Sequence, residues 1–168
     1  MHAPDLLAAG DAAGELGYTV VLVEQPYLVA GRRSPAPASQ LDSAWSAVVA
    51  HLRRRELRDL RLVAGGRSAG ARVACRTSAN LGVAAVLCLA FPLHPPGKGD
   101  DPAKSRLPEL EAVEVPVLVV QGERDPFGIP PAGPGREIVR IPGDHSLRNA
   151  DAVRPVVSRW LGRLAVKE

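Results

Sequence analysis

The chain has 168 residues, of which 46% are hydrophobic and 23% are charged, and its formal net charge is +3. This length fits one domain over residues 1–168, and the composition excludes a disordered chain or a fibrous repeat. The longest apolar stretch, 83–93, is too short to cross a bilayer, and the first residues lack the pattern of a secretory signal, so a cytoplasmic protein without membrane contact is expected.

Strands and helices alternate along the chain. A helix is predicted from Pro4 to Gly17, followed by a strand at 18–23 that is apolar on both faces. The later predicted elements are a loop at 31–39, a helix over 41–52, a strand at 61–65, a helix after Ser68, a strand at 83–90, a loop at 92–106, a short helix at 107–112, strands at 115–121 and 137–141, and an amphipathic helix over 153–164. This order predicts an α/β fold with three layers around a doubly wound, mainly parallel sheet.

Metal binding and nucleic-acid binding find little support in the sequence. Cys75 and Cys88 lack CxxC spacing, and no two of the four histidines lie at i and i+4, so we expect buried free thiols and neither a metal nor another cofactor. The densest basic run, 53–61, is interrupted by Glu56 and Asp59 and contains no aromatic residue for base stacking. It is therefore predicted to be a solvated helix end.

A short motif, Gly66-Arg67-Ser68-Ala69-Gly70, matches G-x-S-x-G between an apolar strand and a helix. In that context the serine lies at a sharp turn that exposes its hydroxyl. Gly66 and Gly70 are predicted to prevent clashes of side chains with the strand and the helix. A tight turn without chemistry would also fit the motif, but its setting favours Ser68 as a nucleophile.

Asp125 and His145 each follow the end of a later predicted strand. Because the carboxyl ends of parallel strands meet at one edge of a sheet, we expect both residues to lie near Ser68. His145 would act as general base for Ser68, while Asp125 would hold the imidazole in one tautomer and stabilise the imidazolium. Taken singly, Asp125 also fits a turn former and His145 a surface loop residue.

The other candidate acids are Glu123, Asp100, Asp101 and Asp144. Asp144 is adjacent to His145 in sequence, so its carboxylate cannot easily approach the far ring nitrogen. The order Ser, Asp, His is also that of the α/β-hydrolases. We therefore favour Asp125.

Four segments carry a family resemblance: 23–27, 65–72, 91–97 and 121–128. With His145, they resemble the α/β-hydrolase family shared by testis-expressed proteins and a subunit of the nonspecific-lethal chromatin complex, and more distantly the dienelactone hydrolases. The most specific segment is the Pro-Leu-His-Pro-Pro-Gly run at 92–97. The resemblance implies a compact α/β-hydrolase fold over nearly the whole chain.

An oxyanion hole requires two N–H donors, of which Ala69 at the helix start is the predicted first. The resemblance implies that the second comes from a strand and a His-Gly-Ala-Gly-like loop ahead of the first helix, and the sequence shows no such segment. That strand would lie between those at 19–23 and 61–65. We therefore expect an N-terminally shortened fold with a gap at this place, and a native start earlier than Met1.

These residues predict a serine hydrolase that acts on a small ester or thioester through an acyl-enzyme. Tyr27, Phe91, Leu93 and Phe127 are candidate walls of the substrate pocket, and His94 either lines it or caps a turn. A non-catalytic interaction module is the alternative, because the resembling chromatin-complex subunit suggests that this fold also serves as a scaffold. Acyl transfer to an acceptor other than water would use the same residues.

Overall fold

The computed structural model describes residues 3–32 and 34–165, in which four parallel strands form one sheet. In chain order and also in spatial order, the strands are β1 (Val63–Arg67), β2 (Ala85–Leu89), β3 (Val117–Gly122) and β4 (Arg136–Ile141). The helices are α1 (Pro4–Glu15), α2 (Pro26–Val29), α3 (Ala38–Arg53), α4 (Ala69–Leu81), α5 (Leu107–Glu111) and α6 (Ala150–Ala165), with a 3₁₀ turn at Pro102–Lys104. The α/β fold class predicted from the sequence is confirmed.

Helices cover both faces of the sheet. On one face, α1 and α6 bury Ala12 and Trp160 against strand residues such as Leu118. On the other face, α4 and α5 bury Ala74 and Leu110 against the alternate residues of the same strands, and α3 packs on α4. Because β2 and β3 are buried on both faces, they have continuous apolar sequences rather than an alternating pattern.

Two cysteines meet inside the second of these layers. Cys75 of α4 and Cys88 of β2 are buried free thiols, as predicted, and their Sγ atoms are 3.5 Å apart. The hydrogen bond to Cys75 and the burial of the thiol raise the pKa of Cys88 well above its usual value. Both side chains therefore pack in the core as small apolar groups.

Most of the predicted helices and strands are present, with boundaries shifted by a few residues. The strand predicted at 61–65 is observed as Val63–Arg67, and the helix predicted over 41–52 is observed as Ala38–Arg53. The one-turn helix α2 falls within a region where the sequence pattern predicts no element. None of the helices within residues 3–32 and 34–165 is both long enough and apolar enough to cross a membrane.

The strand predicted at 18–23 is wrong, because the structure has no strand in this described segment. Val20 is 41% exposed and Leu22 is 59% exposed. A cleft of about 450 Å³ is lined by this segment and by residues of β1, such as Val63 and Gly65. The cleft lies between the two segments where a gap is expected from the sequence, and within the described residues β1 has a strand partner on its β2 side alone. Because no strand pairs with residues 18–23, apolar side chains of this segment stay partly exposed.

Candidate active site

Ser68 occupies the turn between β1 and α4. Its φ of 52° and ψ of −113° lie outside the regions that most residues favour, which is a strain typical of functional turns. A Cβ on Gly66 would lie 2.4 Å from the carbonyl carbon of Gly70, so glycine is required at that position. The prediction that Gly70 prevents a clash is wrong, because a Cβ there would meet nothing within 4 Å. The turn thus depends on the glycine two positions before Ser68.

A continuous chain of hydrogen bonds joins Ser68, His145 and Asp125. With the proton on Nδ1, His145 donates to Oδ2 of Asp125 at 2.8 Å, and the Ser68 hydroxyl donates to Nε2 at 2.9 Å. The Asp125 side chain is fully buried, while that of His145 is 17% exposed. The Phe127 ring lies against the imidazole, with centroids 4.1 Å apart. An imidazole in this position can accept the proton of the serine hydroxyl.

The carboxylate of Asp125 is fixed by two donors besides His145. Gln121 of β3 donates from Nε2 to Oδ2 at 2.7 Å, and the backbone N–H of Phe127 donates to Oδ1 at 2.8 Å. The same Gln121 amide lies within hydrogen-bond distance of the carbonyl oxygens of Phe91 and Gly128. Sequence reasoning missed Gln121, although a polar residue in an otherwise apolar strand signals a need for buried partners.

The loop that carries His145 is held close to the end of β3. A Cβ on Gly122 would lie 2.4 Å from the carbonyl oxygen of Asp144, so only glycine permits this approach. The N–H of Arg124 donates to the carbonyl oxygen of Gly143 at 2.9 Å. These contacts bring the strand that precedes Asp125 against the backbone that precedes His145.

Two of the competing candidate acids, Asp144 and Asp101, bind other partners. The carboxylate of Asp144 accepts hydrogen bonds from the backbone and the hydroxyl of Ser146, which lower its pKa. Asp101 accepts from the N–H of Ala103 and caps the 3₁₀ turn. Among the acids considered from the sequence, Asp125 is the one hydrogen-bonded to His145.

Ala69 is the first residue of α4 and directly follows Ser68. The N–H groups of a first helical turn have no acceptor within the helix, and the helix dipole favours negative charge beside them. Ala69 is therefore placed where an oxyanion donor would be needed.

The candidate pocket residues lie in different surroundings. Tyr27 is half-buried in α2; burial raises the pKa of its phenol, and the positive charge of Arg67 partly opposes that rise. Phe127 and Leu93 are half-buried, and Phe127 contacts His145. Phe91 is fully buried in the core, not at a pocket surface.

His94 lies between two loops. Its Nδ1 is 2.8 Å from the carbonyl oxygen of Pro95, and a Cβ on Gly128 would approach its Nε2 to 2.4 Å. The ring thus fills the space beside the loop that carries Phe127. Within residues 3–32 and 34–165, no group of three or more His, Cys, Asp or Glu side chains is arranged to bind a metal ion.

The parallel sheet and the serine on a strand-to-helix turn define an α/β-hydrolase type of protein. In agreement, the family model described as "alpha/beta hydrolase domain" matches residues 4–134. The chain belongs to this alpha/beta hydrolase domain family.

Several solved structures are similar to this chain. An α/β serine hydrolase without a lid, XC6422 from Xanthomonas campestris, is 23% identical, with a TM-score of 0.75 over 97% of this chain and 74% of that one. A serine hydrolase homologue from Coxiella burnetii is 17% identical, with a TM-score of 0.66 over 96% and 77%. A structure of the metagenome-derived lipolytic enzymes LipS and LipT is 16% identical, with a TM-score of 0.66 over 96% and 88%. No curated protein matches the sequence. At these identities, the similarities show the fold.

Proposed function

We propose that the protein is a serine hydrolase that cleaves a small ester or thioester through an acyl-enzyme. The hydrogen-bonded chain from Ser68 through His145 to Asp125, with separations of 2.9 and 2.8 Å, is the observation that carries this proposal. A scaffold has no need for a strained serine aligned with an imidazole and a buried carboxylate.

In the proposed reaction, Oγ of Ser68 attacks the substrate carbonyl carbon while its proton passes to Nε2 of His145. The buried carboxylate of Asp125 stabilises the resulting imidazolium, and the N–H of Ala69 stabilises the negative charge on the substrate oxygen. His145 then returns the proton to the leaving alcohol or thiol, and the acyl group stays on Ser68. A water molecule then attacks the acyl carbon while His145 takes one of its protons, and this proton passes to Oγ of Ser68 as the acid leaves.

The proposed substrate class rests on the side chains that are candidate walls of the pocket. Phe127 contacts His145, and Leu93 and Tyr27 are also half-buried, so these three side chains would form the walls. The similar Xanthomonas protein is described as lacking a lid, and the LipS and LipT proteins are described as lipolytic. The closer relationship to the testis-expressed and chromatin-complex proteins stays a proposal based on the four resembling segments.

A fluorophosphonate probe tests the proposed function directly. We expect mass spectrometry to find the adduct on Ser68, no adduct in Ser68→Ala, and labelling at least about 100-fold slower in His145→Ala, because the general base is lost. Ser105→Ala, which alters an exposed serine at the start of α5, is the matched control and should label normally.

Absence of labelling in the folded wild-type protein would contradict the proposal and favour the non-catalytic interaction module. If Ser68 is labelled, a screen of short-chain esters and thioesters follows. Product analysis with added alcohols or amines then distinguishes hydrolysis from acyl transfer.

A further inference from the structure

Arg67 links the strand that ends at Ser68 to the loop that carries His145. Its Nη2 donates a hydrogen bond to the backbone carbonyl oxygen of His145 at 3.0 Å. Its Nε lies 2.9 Å from Oδ2 of Asp5, in the first turn of α1. The guanidinium therefore joins three separate parts of the fold at a position next to the candidate nucleophile.

Asp5 anchors the other end of this link. Its carboxylate is fully buried, and its Oδ1 accepts a hydrogen bond from the N–H of Leu6 at 3.0 Å. Burial raises the pKa of Asp5, and the charge of Arg67 opposes this rise. Since a buried carboxylate without a cation is costly, the ion pair fixes the orientation of the guanidinium.

The loop that this guanidinium contacts has little regular structure of its own. Residues 142–149 contain neither helix nor strand, and Gly143 and Leu147 have positive φ angles of 134° and 43°. The imidazole of His145 nevertheless has to stay within 2.9 Å of the Ser68 hydroxyl. A bond to the backbone of His145 itself restrains the position of the ring more directly than contacts elsewhere in the loop.

We propose that Arg67 is a positioning residue that holds the backbone of His145, with Asp5 as its buried anchor. This inference rests on the proposed function for its effect on reaction rate. Because Arg67 is the last residue of β1 and Ser68 follows it directly, the candidate nucleophile lies next to the residue that holds the candidate base. A loop shift of about 1 Å can cost on the order of 100-fold in rate, so this restraint has a measurable effect.

The test compares Arg67→Met, Arg67→Lys and Asp5→Asn with the wild-type protein. The fluorophosphonate probe gives the maximal labelling rate and the apparent probe affinity separately. We expect the maximal rate to fall by roughly 10-fold to 100-fold in Arg67→Met, with the probe affinity unchanged. Arg67→Lys should recover part of the rate, and Asp5→Asn should add little to Arg67→Met, because both residues act in one link.

Arg76→Met is the matched control for a lost ion pair. Arg76 binds Asp42 with two hydrogen bonds of 2.8 and 2.6 Å and Glu109 with one of 3.2 Å, so it joins α4 to α3 and α5, and neither partner lies in the loop of His145. This variant should lose stability but keep the wild-type labelling rate. Urea unfolding of every variant separates the two effects.

A second measurement does not depend on activity. In the wild-type protein, ¹⁵N-histidine NMR should show His145 as a single species protonated at Nδ1, and Arg67→Met should show mixed tautomers. Wild-type labelling rates and an unchanged His145 spectrum in Arg67→Met would overturn the positioning role. An unlabelled wild-type protein whose His145 spectrum still depends on Arg67 would refute the proposed function and leave the positioning role intact. If Arg67→Met does not fold, Arg67→Lys and Asp5→Asn decide the question by the same spectrum.

Discussion

Two apolar stretches of similar composition have opposite positions in this fold. Residues 117–120 of β3 form the centre of the sheet and are at most 2% exposed. Residues 19–23 are also apolar and β-branched, but they lie beside a cleft, with Val20 and Leu22 widely exposed. The sequence predicts a buried strand for both. The difference is that β3 pairs with β2 and with β4, whereas the earlier stretch has no assigned strand ladder.

This comparison shows which part of the fold is encoded locally. Apolar β-branched residues favour an extended backbone, but burial also requires strands on either side and helices above and below. The paired strand β3 leads to Asp125 and lies against the loop of His145. The polar contacts of the candidate site thus depend on β3, the stretch that is paired with a strand on each side.

The largest expected effect is the contrast in stability between the two stretches. Leu118→Ala removes a fully buried side chain from β3 and should lower the free energy of unfolding by about 2 to 5 kcal/mol. Leu22→Ala removes a side chain that is 59% exposed and should change it by about 0.5 kcal/mol or less. Urea unfolding of both variants measures the difference. Equal losses would mean that residues 19–23 are buried in solution.

A smaller effect is expected at the end of β3, where two backbones meet. Gly122→Ala places a Cβ against the carbonyl oxygen of Asp144 and should cost about 1 to 3 kcal/mol of stability, because neither backbone can move freely. It should also slow probe labelling, since the loop of His145 is displaced. Gly162→Ala in α6, where a Cβ meets nothing within 4 Å, is the control and should be neutral or stabilising by up to about 1 kcal/mol. A neutral Gly122→Ala would refute the close contact.

A still smaller loss of stability than at Gly122 is expected at the buried amide of β3. Gln121→Met has a similar shape but leaves the carbonyl oxygens of Phe91 and Gly128 without this donor, at a cost of about 1 to 2 kcal/mol. Because Asp125 also loses a hydrogen bond, probe labelling should slow as well. Gln40→Met, at an exposed position on α3, should change neither property. Loss of stability with an unchanged labelling rate would limit Gln121 to a structural role.

The sequence predicted the α/β fold because alternation and periodicity are local signals. The stripe on α6 that includes Val153, Val157 and Trp160 is buried as its spacing predicts. The motif around Ser68 likewise predicted a sharp strand-to-helix turn. The missed features depend on distant contacts: nothing near Arg67 in the sequence indicates that its side chain reaches both Asp5 and the backbone of His145.

The predictions for the site also differ in whether they depend on the order of elements or on the geometry of a turn. The sequence predicts that Ser68, Asp125 and His145 lie together because parallel strands end at one edge, a rule that needs only the order of elements. The sequence predicts Phe91 at a pocket wall because it is aromatic and follows a strand, but its side chain is buried in the core. Which face a residue takes after a strand ends depends on the turn, and Ala90, with a φ of 48°, lies in one.

The buried thiols of Cys75 and Cys88 also allow the opening of the protein interior to be measured. They lie where α4, the helix that begins beside Ser68, packs on the sheet, and solvent does not reach them in the folded protein. A thiol reagent therefore reacts with them only when that interface opens, so the reaction rate reports how often it does. Modification of the two thiols thus measures the opening of the layer that supports the candidate nucleophile.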